Sequence, residues 1–126
     1  MKGRKPHRLT AKDDKIINIF TELGMPKNLA KTLLYISQVD ECRSSEIEQG
    51  AKLRQPEVSV AMQELKKRGW IDKRDLKKEG KGRPIYIYKL TSPMEKIVKS
   101  YEKEKLEEID NIRKDITELK NLLEDR

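Results

Sequence analysis

Residues 53–91 read LRQPEVSVAMQELKKRGWIDKRDLKKEGKGRPIYIYKLT, and the spacing of their apolar residues changes half-way along. In the first half, apolar positions follow the i, i+3, i+4, i+7 pattern of one buried helix face, formed by Val58, Ala61, Met62 and Leu65. After Gly69, two segments rich in Ile, Tyr and Trp, WIDKRDL and RPIYIYKLT, flank the basic sequence KKEGKG. The stretch predicts a helix followed by a two-stranded hairpin with a basic loop. Both alternating sets in IYIY are apolar, so the sequence leaves open which hairpin face meets the helices.

Two longer helices are predicted upstream of this stretch. The first begins at the N-cap Thr10 and ends at Gly24, a residue suited to the position after a helix end. Its apolar stripe consists of Ile16, Ile17, Phe20 and Leu23. The second begins at Pro26 and ends before the acidic turn at Cys42, and its stripe consists of Leu29, Ala30, Leu33, Leu34 and Ile36.

A third, short helix is predicted just before the fourth, and a tight turn joins the two. Ser45 and Glu48 have the spacing of a capping box, and Gly50 is expected to help end the third helix after about two turns. Pro56 suits the first turn of the fourth helix, where Glu57 is favoured by the positive end of the helix dipole.

These elements predict a mainly α fold with a small β-hairpin (α+β), namely a winged helix-turn-helix over residues 10–92. A helix fits the major groove of B-DNA, while the loop of a neighbouring hairpin lies along phosphates or enters the minor groove. The basic side chains expected to contact DNA lie at the ends of the fourth helix and in the loop: Arg54, Lys67, Lys78, Lys81 and Arg83. Lys67 has a second interpretation, as a solvated residue favoured by the helix dipole.

The run SSEIEQGAKLRQPEVSVAMQELKKRGWI, followed by GKGRPIYIYKLT, resembles the winged-helix regulators of the ArsR and TrmB kind, particularly archaeal ones. In those proteins a Gly-Arg-Pro triplet precedes a Tyr-x-Leu-Thr strand in the wing. The resemblance implies that Arg83 lies at the wing tip and that the DNA-facing side of the fourth helix carries Gln55, Glu57, Ser59, Val60 and Gln63. Residues 1–126 carry neither the cysteine-rich metal-sensing motif of ArsR proteins nor a sugar-binding domain. No response to metal or sugar is therefore implied, and a small-molecule effector is left open.

Charge is divided unevenly along the chain. Residues 1–92 contain 21 Lys and Arg against 12 Asp and Glu, whereas residues 93–126 contain 8 against 10. A basic body favours a polyanionic partner, here double-stranded DNA. Residues 1–9 contain no acidic residue and are expected to form a flexible basic arm.

Residues 93–126 predict one long helix, because Ser92 and Pro93 suit its start and no further Gly or Pro follows. A coiled-coil seam with alternating spacings of three and four runs along it, formed by Ile109, Ile112, Ile116, Leu119 and Leu123. So narrow a stripe on a polar helix does not stabilise that helix alone. We expect the helix to pair with a second copy of the chain in a homodimer; folding back on its own domain is the alternative.

Composition argues against several other classes of protein. With 35% hydrophobic and 40% charged residues, and no apolar run of about 18 residues, we expect a soluble, cytoplasmic protein without a membrane partner. The lone Cys42 cannot form an internal disulfide and is expected to be buried and inert. The single histidine, His7, lies in the arm, and no glycine-rich phosphate loop follows a strand. We therefore predict no enzyme, no catalytic residue, no metal site and no cofactor.

Two functions stay open at this point. The first is a sequence-specific, double-stranded DNA-binding transcription regulator that acts as a homodimer, with Gln55, Ser59 and Gln63 reading bases. The second is a winged-helix architectural or interaction module that binds nucleic acid without sequence preference and docks on a partner through its long helix. Uncharged Gln and Ser on the exposed helix face favour the first.

Overall fold

The computed structural model describes residues 7–76 and 85–125. The elements formed by these residues are α1 (Ala11–Glu22), α2 (Lys27–Ser37), α3 (Ser44–Gly50), α4 (Gln55–Lys67), β1 (Ile71–Leu76), β2 (Ile85–Leu90) and α5 (Met94–Glu124). The chain divides into two compact units, Met1–Pro93 and Met94–Arg126. The predicted fold class, mainly α with a small β-hairpin and a long C-terminal helix, is confirmed.

The core of the first unit lies between its four helices. Its largest fully buried side chains are Ile17, Leu33, Ile36, Ile47, Leu65, Val58 and Thr32. The helix α2 is central because α1 packs on one part of its surface and α4 on another. At the edge of this bundle, α1 buries Ile17 and Phe20, whereas Ile16 and Leu23 of its predicted stripe are exposed. Gly24 follows α1 with a φ of 107°, as its predicted role after the helix end requires.

The start of α3 differs from the prediction. The backbone N–H of Arg43 donates a hydrogen bond of 2.7 Å to Oε1 of Glu46. The predicted capping pair, Ser45 and Glu48, is therefore wrong by two residues. Arginine offers no side-chain acceptor, so this cap is formed by the glutamate alone. The sequence pattern favoured the later pair because Ser is a common N-cap residue and Arg is not.

Gly50 is needed for packing and not for ending α3. The residue with a left-handed backbone after this helix is Lys52, with a φ of 56°. A Cβ on Gly50 would instead overlap Cε2 of Tyr35 in α2 and lie 2.6 Å from the carbonyl oxygen of His7. Glycine therefore allows the first helix of the helix-turn-helix to approach α2 closely.

The hairpin pairs β1 and β2 antiparallel, with Ile71 opposite Leu90 and Lys73 opposite Tyr88. The connection between α2 and α3 extends this sheet by one bridge, because Cys42 and Tyr88 exchange backbone hydrogen bonds of 3.0 and 2.8 Å. Cys42 is buried as predicted, and burial raises the pKa of its thiol to about 12.

Residues 7–9 of the predicted N-terminal arm are hydrogen-bonded to other parts of the first unit. The ring of His7 hydrogen-bonds Oε1 of Gln38, whose amide nitrogen donates to Oδ1 of the buried Asp13 at 2.7 Å. The backbone N–H of Leu9 donates to the carbonyl oxygen of Gly50 at 3.0 Å. The remaining residues of the arm, 1–6, lie outside the described part of the chain.

The second unit is the single helix α5, 31 residues long. At about 1.5 Å per residue it extends for about 46 Å. All five predicted seam residues are exposed, by between 43% and 57%: Ile109, Ile112, Ile116, Leu119 and Leu123. Leu106 and Leu122 widen this apolar stripe and are exposed as well.

Candidate nucleic-acid interface

The helix α4 turns a polar surface away from the core. The predicted core face is confirmed, because Val58, Ala61, Met62 and Leu65 are all buried. The predicted DNA-facing residues lie on the other side of the helix: Gln55, Ser59, Val60, Gln63 and Lys67 are exposed and Glu57 is half-buried. The exposed Arg54 stands at the N-cap. A helical repeat of about 3.6 residues produces this division between core and solvent.

A groove of about 400 Å³ separates α4 from the hairpin. Its helix wall is lined by the exposed Gln55, Ser59, Gln63 and Lys66, together with the buried Val58 and Met62. Its hairpin wall carries Ile71, Lys73, Tyr86 and Tyr88, and Ser44 of α3 closes one end. This arrangement identifies the hairpin face that meets the helices, which sequence alternation left open.

None of the described residues that line this groove is acidic. Two basic residues, Lys66 and Lys73, line it from the helix wall and the hairpin wall. The Nζ of Lys73 lies 4.2 Å from the ring centroid of Tyr86, a cation–π distance that holds the amine beside the groove. Amide and hydroxyl groups bind base edges, and amines bind phosphates, so the groove is chemically suited to one strand of a nucleic acid.

Glu57 has a structural contact at the start of α4. The backbone N–H of Arg54 donates to Oε1 of Glu57 at 2.8 Å, and its guanidinium lies 3.6 Å from Oε2. The backbone hydrogen bond is the main cause that lowers the pKa of Glu57 below its usual value. Its carboxylate therefore stays ionised, caps the helix and pairs with the adjacent arginine.

A second cleft, of about 660 Å³, lies on the opposite flank of α4, towards the start of α2. Its apolar lining consists of Pro26, Leu29, Pro56, Val60 and Ala61. Its polar lining consists of Asn28, Glu57, Glu64 and Arg68, and Glu64 pairs with Arg68 at 3.0 Å. Arg68 also lies 4.9 Å from the ring centroid of Trp70, so its guanidinium is held by contacts within the unit.

Comparison with known proteins gives matches among solved structures. No family model and no curated protein matches the chain. TrmBL2, described as an archaeal chromatin protein with a novel mode of DNA binding, superposes with a TM-score of 0.58 at 17% identity, over 87% of this chain and 41% of its own. A possible transcriptional regulator from Methanosarcina mazei Go1 gives a TM-score of 0.51 at 18% identity, over 78% of this chain and 87% of its own. NadR, solved in complex with 4-hydroxyphenylacetate, gives a TM-score of 0.52 at 18% identity, over 98% of this chain and 95% of its own.

This chain has a winged-helix fold. At these sequence identities the similarity concerns the fold alone. The chain spans 41% of the length of TrmBL2. In winged-helix terms α3 and α4 form the helix-turn-helix, and β1 and β2 are the strands of the wing.

The predicted wing residues Lys78, Lys81 and Arg83 lie outside the described residues. The predicted residues of α4 lie on two flanks of that helix, with Gln55, Ser59 and Gln63 lining the groove beside the hairpin. Glu57 and Val60 line the opposite, apolar cleft.

The predicted site residues did not include Ser44 or the hairpin residues that line this groove, which are Ile71, Lys73, Tyr86 and Tyr88. Lys73 and Tyr86 belong to it because of the strand register, which sequence alternation did not reveal. Ser44 belongs to it because α3 begins earlier than the predicted capping pair.

Membrane-spanning helices and metal-ligating clusters are both absent from residues 7–76 and 85–125. No helix there has the length and apolar character required to cross a membrane. Within the same residues, His, Cys, Asp and Glu side chains form no cluster of three or more that would ligate a metal ion.

Proposed function

We propose that this protein is a sequence-specific, double-stranded DNA-binding transcription regulator that acts as a homodimer. One observation carries the proposal: the uncharged residues Gln55, Ser59 and Gln63 of α4 line a groove in which no described lining residue is acidic. Gln and Ser side chains form hydrogen bonds with base edges, whereas a surface made only of Lys and Arg would serve phosphate binding.

In this proposal α4 enters the major groove, which is about 12 Å wide. Gln55, Ser59 and Gln63 read base edges, while Lys66 and Lys73 bind phosphates of the strand that passes between the helix and the wing. Arg54 and Lys67 add phosphate contacts at the two ends of α4. We expect the wing residues Lys78, Lys81 and Arg83 to bind the flanking backbone or minor groove.

The exposed seam of α5 supports the homodimer. Five seam side chains per chain, about half-exposed in one copy, would each gain roughly 1 kcal/mol on full burial. Two copies together would gain on the order of 10 kcal/mol, comparable with the estimated cost of about 4–15 kcal/mol for lost freedom on association. A two-fold dimer would address two half-sites spaced by about 10 base pairs or a multiple of that.

We further propose that the protein is an archaeal regulator of the ArsR and TrmB kind. The sequence GKGRPIYIYKLT supports this assignment, as does the fold shared with TrmBL2. No catalytic activity is proposed: the thiol of Cys42 is buried with its pKa near 12, which makes it a poor nucleophile.

A second candidate function is an architectural one, in which the basic unit coats DNA without sequence preference. Its support is the fold similarity to TrmBL2, which is described as a chromatin protein. The two candidates differ in what α4 must do. Only the regulator needs the Gln side chains of α4 to distinguish bases.

Selection from a random-sequence duplex pool, followed by sequencing of the bound DNA, separates the two candidates. A regulator enriches a two-fold motif, and Gln63→Ala weakens binding to that motif by about 1–3 kcal/mol while relaxing the preference at one position of each half-site. The matched control is Asn18→Ala, which removes an exposed amide from α1. Absence of any enriched motif would contradict the regulator and favour the architectural candidate.

A further inference from the structure

Val60 is the most exposed large apolar side chain described in the first unit, with 67% of its surface accessible. It lies near the middle of α4, on the side facing away from the buried Val58 and Leu65. A β-branched residue at an exposed helix position loses rotamer freedom without gaining core contacts. Neither helix propensity nor packing within the chain accounts for it.

The surroundings of Val60 form a small apolar surface on the flank of α4 that faces the start of α2. It adjoins the apolar cleft lined by Pro56 and Ala61. The two carboxylates at the cleft edge are engaged, because Glu57 caps α4 and Glu64 pairs with Arg68. A negatively charged phosphate gains no binding free energy at such a surface, whereas an apolar group is stabilised by being buried there.

The edge of a base pair offers one apolar group in the major groove, the C5 methyl of thymine. Gln63, three residues after Val60 and also exposed, lines the groove on the other flank of α4 and is suited to bind N6 and N7 of adenine through its amide. Three residues advance a helix by about 4.5 Å, and stacked base pairs are about 3.4 Å apart. The two side chains are therefore spaced to contact the same or adjacent base pairs.

We infer that Val60 is a specificity-determining residue that recognises the C5 methyl group of a thymine beside an A·T pair read by Gln63. The inference rests on the proposed function and adds the chemistry of the sequence that is read. It assigns A·T pairs to the middle of each half-site. The middle of the exposed α4 face carries Val60 and Gln63, and arginine, the commonest reader of guanine, is absent from the described residues 55–67.

The test replaces thymines of the selected duplex one at a time by deoxyuridine, which lacks only the methyl group, and measures binding by fluorescence anisotropy. Wild-type protein should lose about fourfold in affinity at one thymine of each half-site, the value of one buried methyl-sized group. Val60→Ala should bind the thymine and deoxyuridine duplexes equally well. The control Val98→Ala, which shortens an exposed valine of α5, should retain the fourfold preference for thymine.

The outcomes separate this inference from the proposed function. Sequence-specific binding in which no thymine methyl matters would overturn the role of Val60 and leave the regulator intact. A thymine preference that persists unchanged in Val60→Ala would overturn it too. Failure to select any sequence would overturn the proposed function itself, and this inference with it.

Discussion

Replacing Gly50 by Ala sets two effects of opposite sign against each other. In a helix interior alanine is more stabilising than glycine by roughly 0.5–1 kcal/mol, which is an upper limit for Gly50 because it is the last residue of α3. At this position, however, the new Cβ would overlap Cε2 of Tyr35, lie 2.9 Å from its Cδ2 and lie 2.6 Å from the carbonyl oxygen of His7. Favourable carbon contacts lie at about 3.5–4.0 Å, so the ring or the backbone must shift.

The Tyr35 ring has little room for that shift. Tyr35 is 3% exposed, and the ring of His7 lies edge-on to it with 5.3 Å between the two ring centroids. Overpacking of this kind costs about 1–3 kcal/mol, which exceeds the gain in helix propensity. We expect Gly50→Ala to lower the free energy of unfolding by about 1–2 kcal/mol.

Urea unfolding followed by circular dichroism measures this change. Ser45→Ala, at an exposed position of the same helix, is the matched control and should alter the free energy of unfolding by less than about 0.5 kcal/mol. An increase of about 0.5–1 kcal/mol in Gly50→Ala, as expected of an unobstructed helix glycine, would refute the packing of α3 against α2 described above.

Three further predictions concern the dimer, the groove and the buried carboxylate. Ile116→Lys places one charge per chain in the proposed seam and should convert the dimer to monomer in sedimentation experiments. The neighbouring Thr117→Lys lies off the seam and should stay dimeric. A dimeric Ile116→Lys would contradict the seam. Lys73→Ala should weaken DNA binding about equally for all sequences and reduce the slope of log affinity against log salt by about 1, and an unchanged slope would exclude a phosphate contact. Burial raises the pKa of Asp13, but hydrogen bonds from Thr10 and Gln38 outweigh burial and hold the pKa of the folded state below its usual value. The ionised carboxylate therefore stabilises the fold above the pKa of the unfolded state, and this stabilisation is lost as pH falls through the pKa of the folded state. Asp13→Asn should therefore lower the Tm at neutral pH and differ less from wild type as the pH falls through the pKa of the folded state, and equal Tm values at neutral pH would contradict this role.

The order of helices and the hairpin followed from the sequence because each helix has a regular apolar stripe and a recognisable start or end. The core face of α4, including Val58 and Leu65, was predicted correctly for this reason. The stripe of α1 was predicted too wide, since periodicity does not tell how many neighbours a helix has. Ile16 and Leu23 are exposed because α1 lies at the edge of the bundle.

Features that depend on residues distant in sequence were not predictable. The contact between Gly50 and Tyr35 requires the docking of α3 on α2, and the hydrogen bonds joining His7, Gln38 and Asp13 require the chain before α1 to return to α2. Lys73 enters the candidate site through the strand register. In each case one helix or strand alone contains no signal of its partner.

The central claim is that α4 reads bases, and the most direct measurement is the affinity ratio between the selected duplex and a scrambled duplex at two salt concentrations. We predict a ratio of about a thousand or more that persists as salt rises, because base contacts release few counterions while phosphate contacts weaken for both duplexes alike. A ratio near one, with both affinities falling steeply together as salt rises, would contradict the claim.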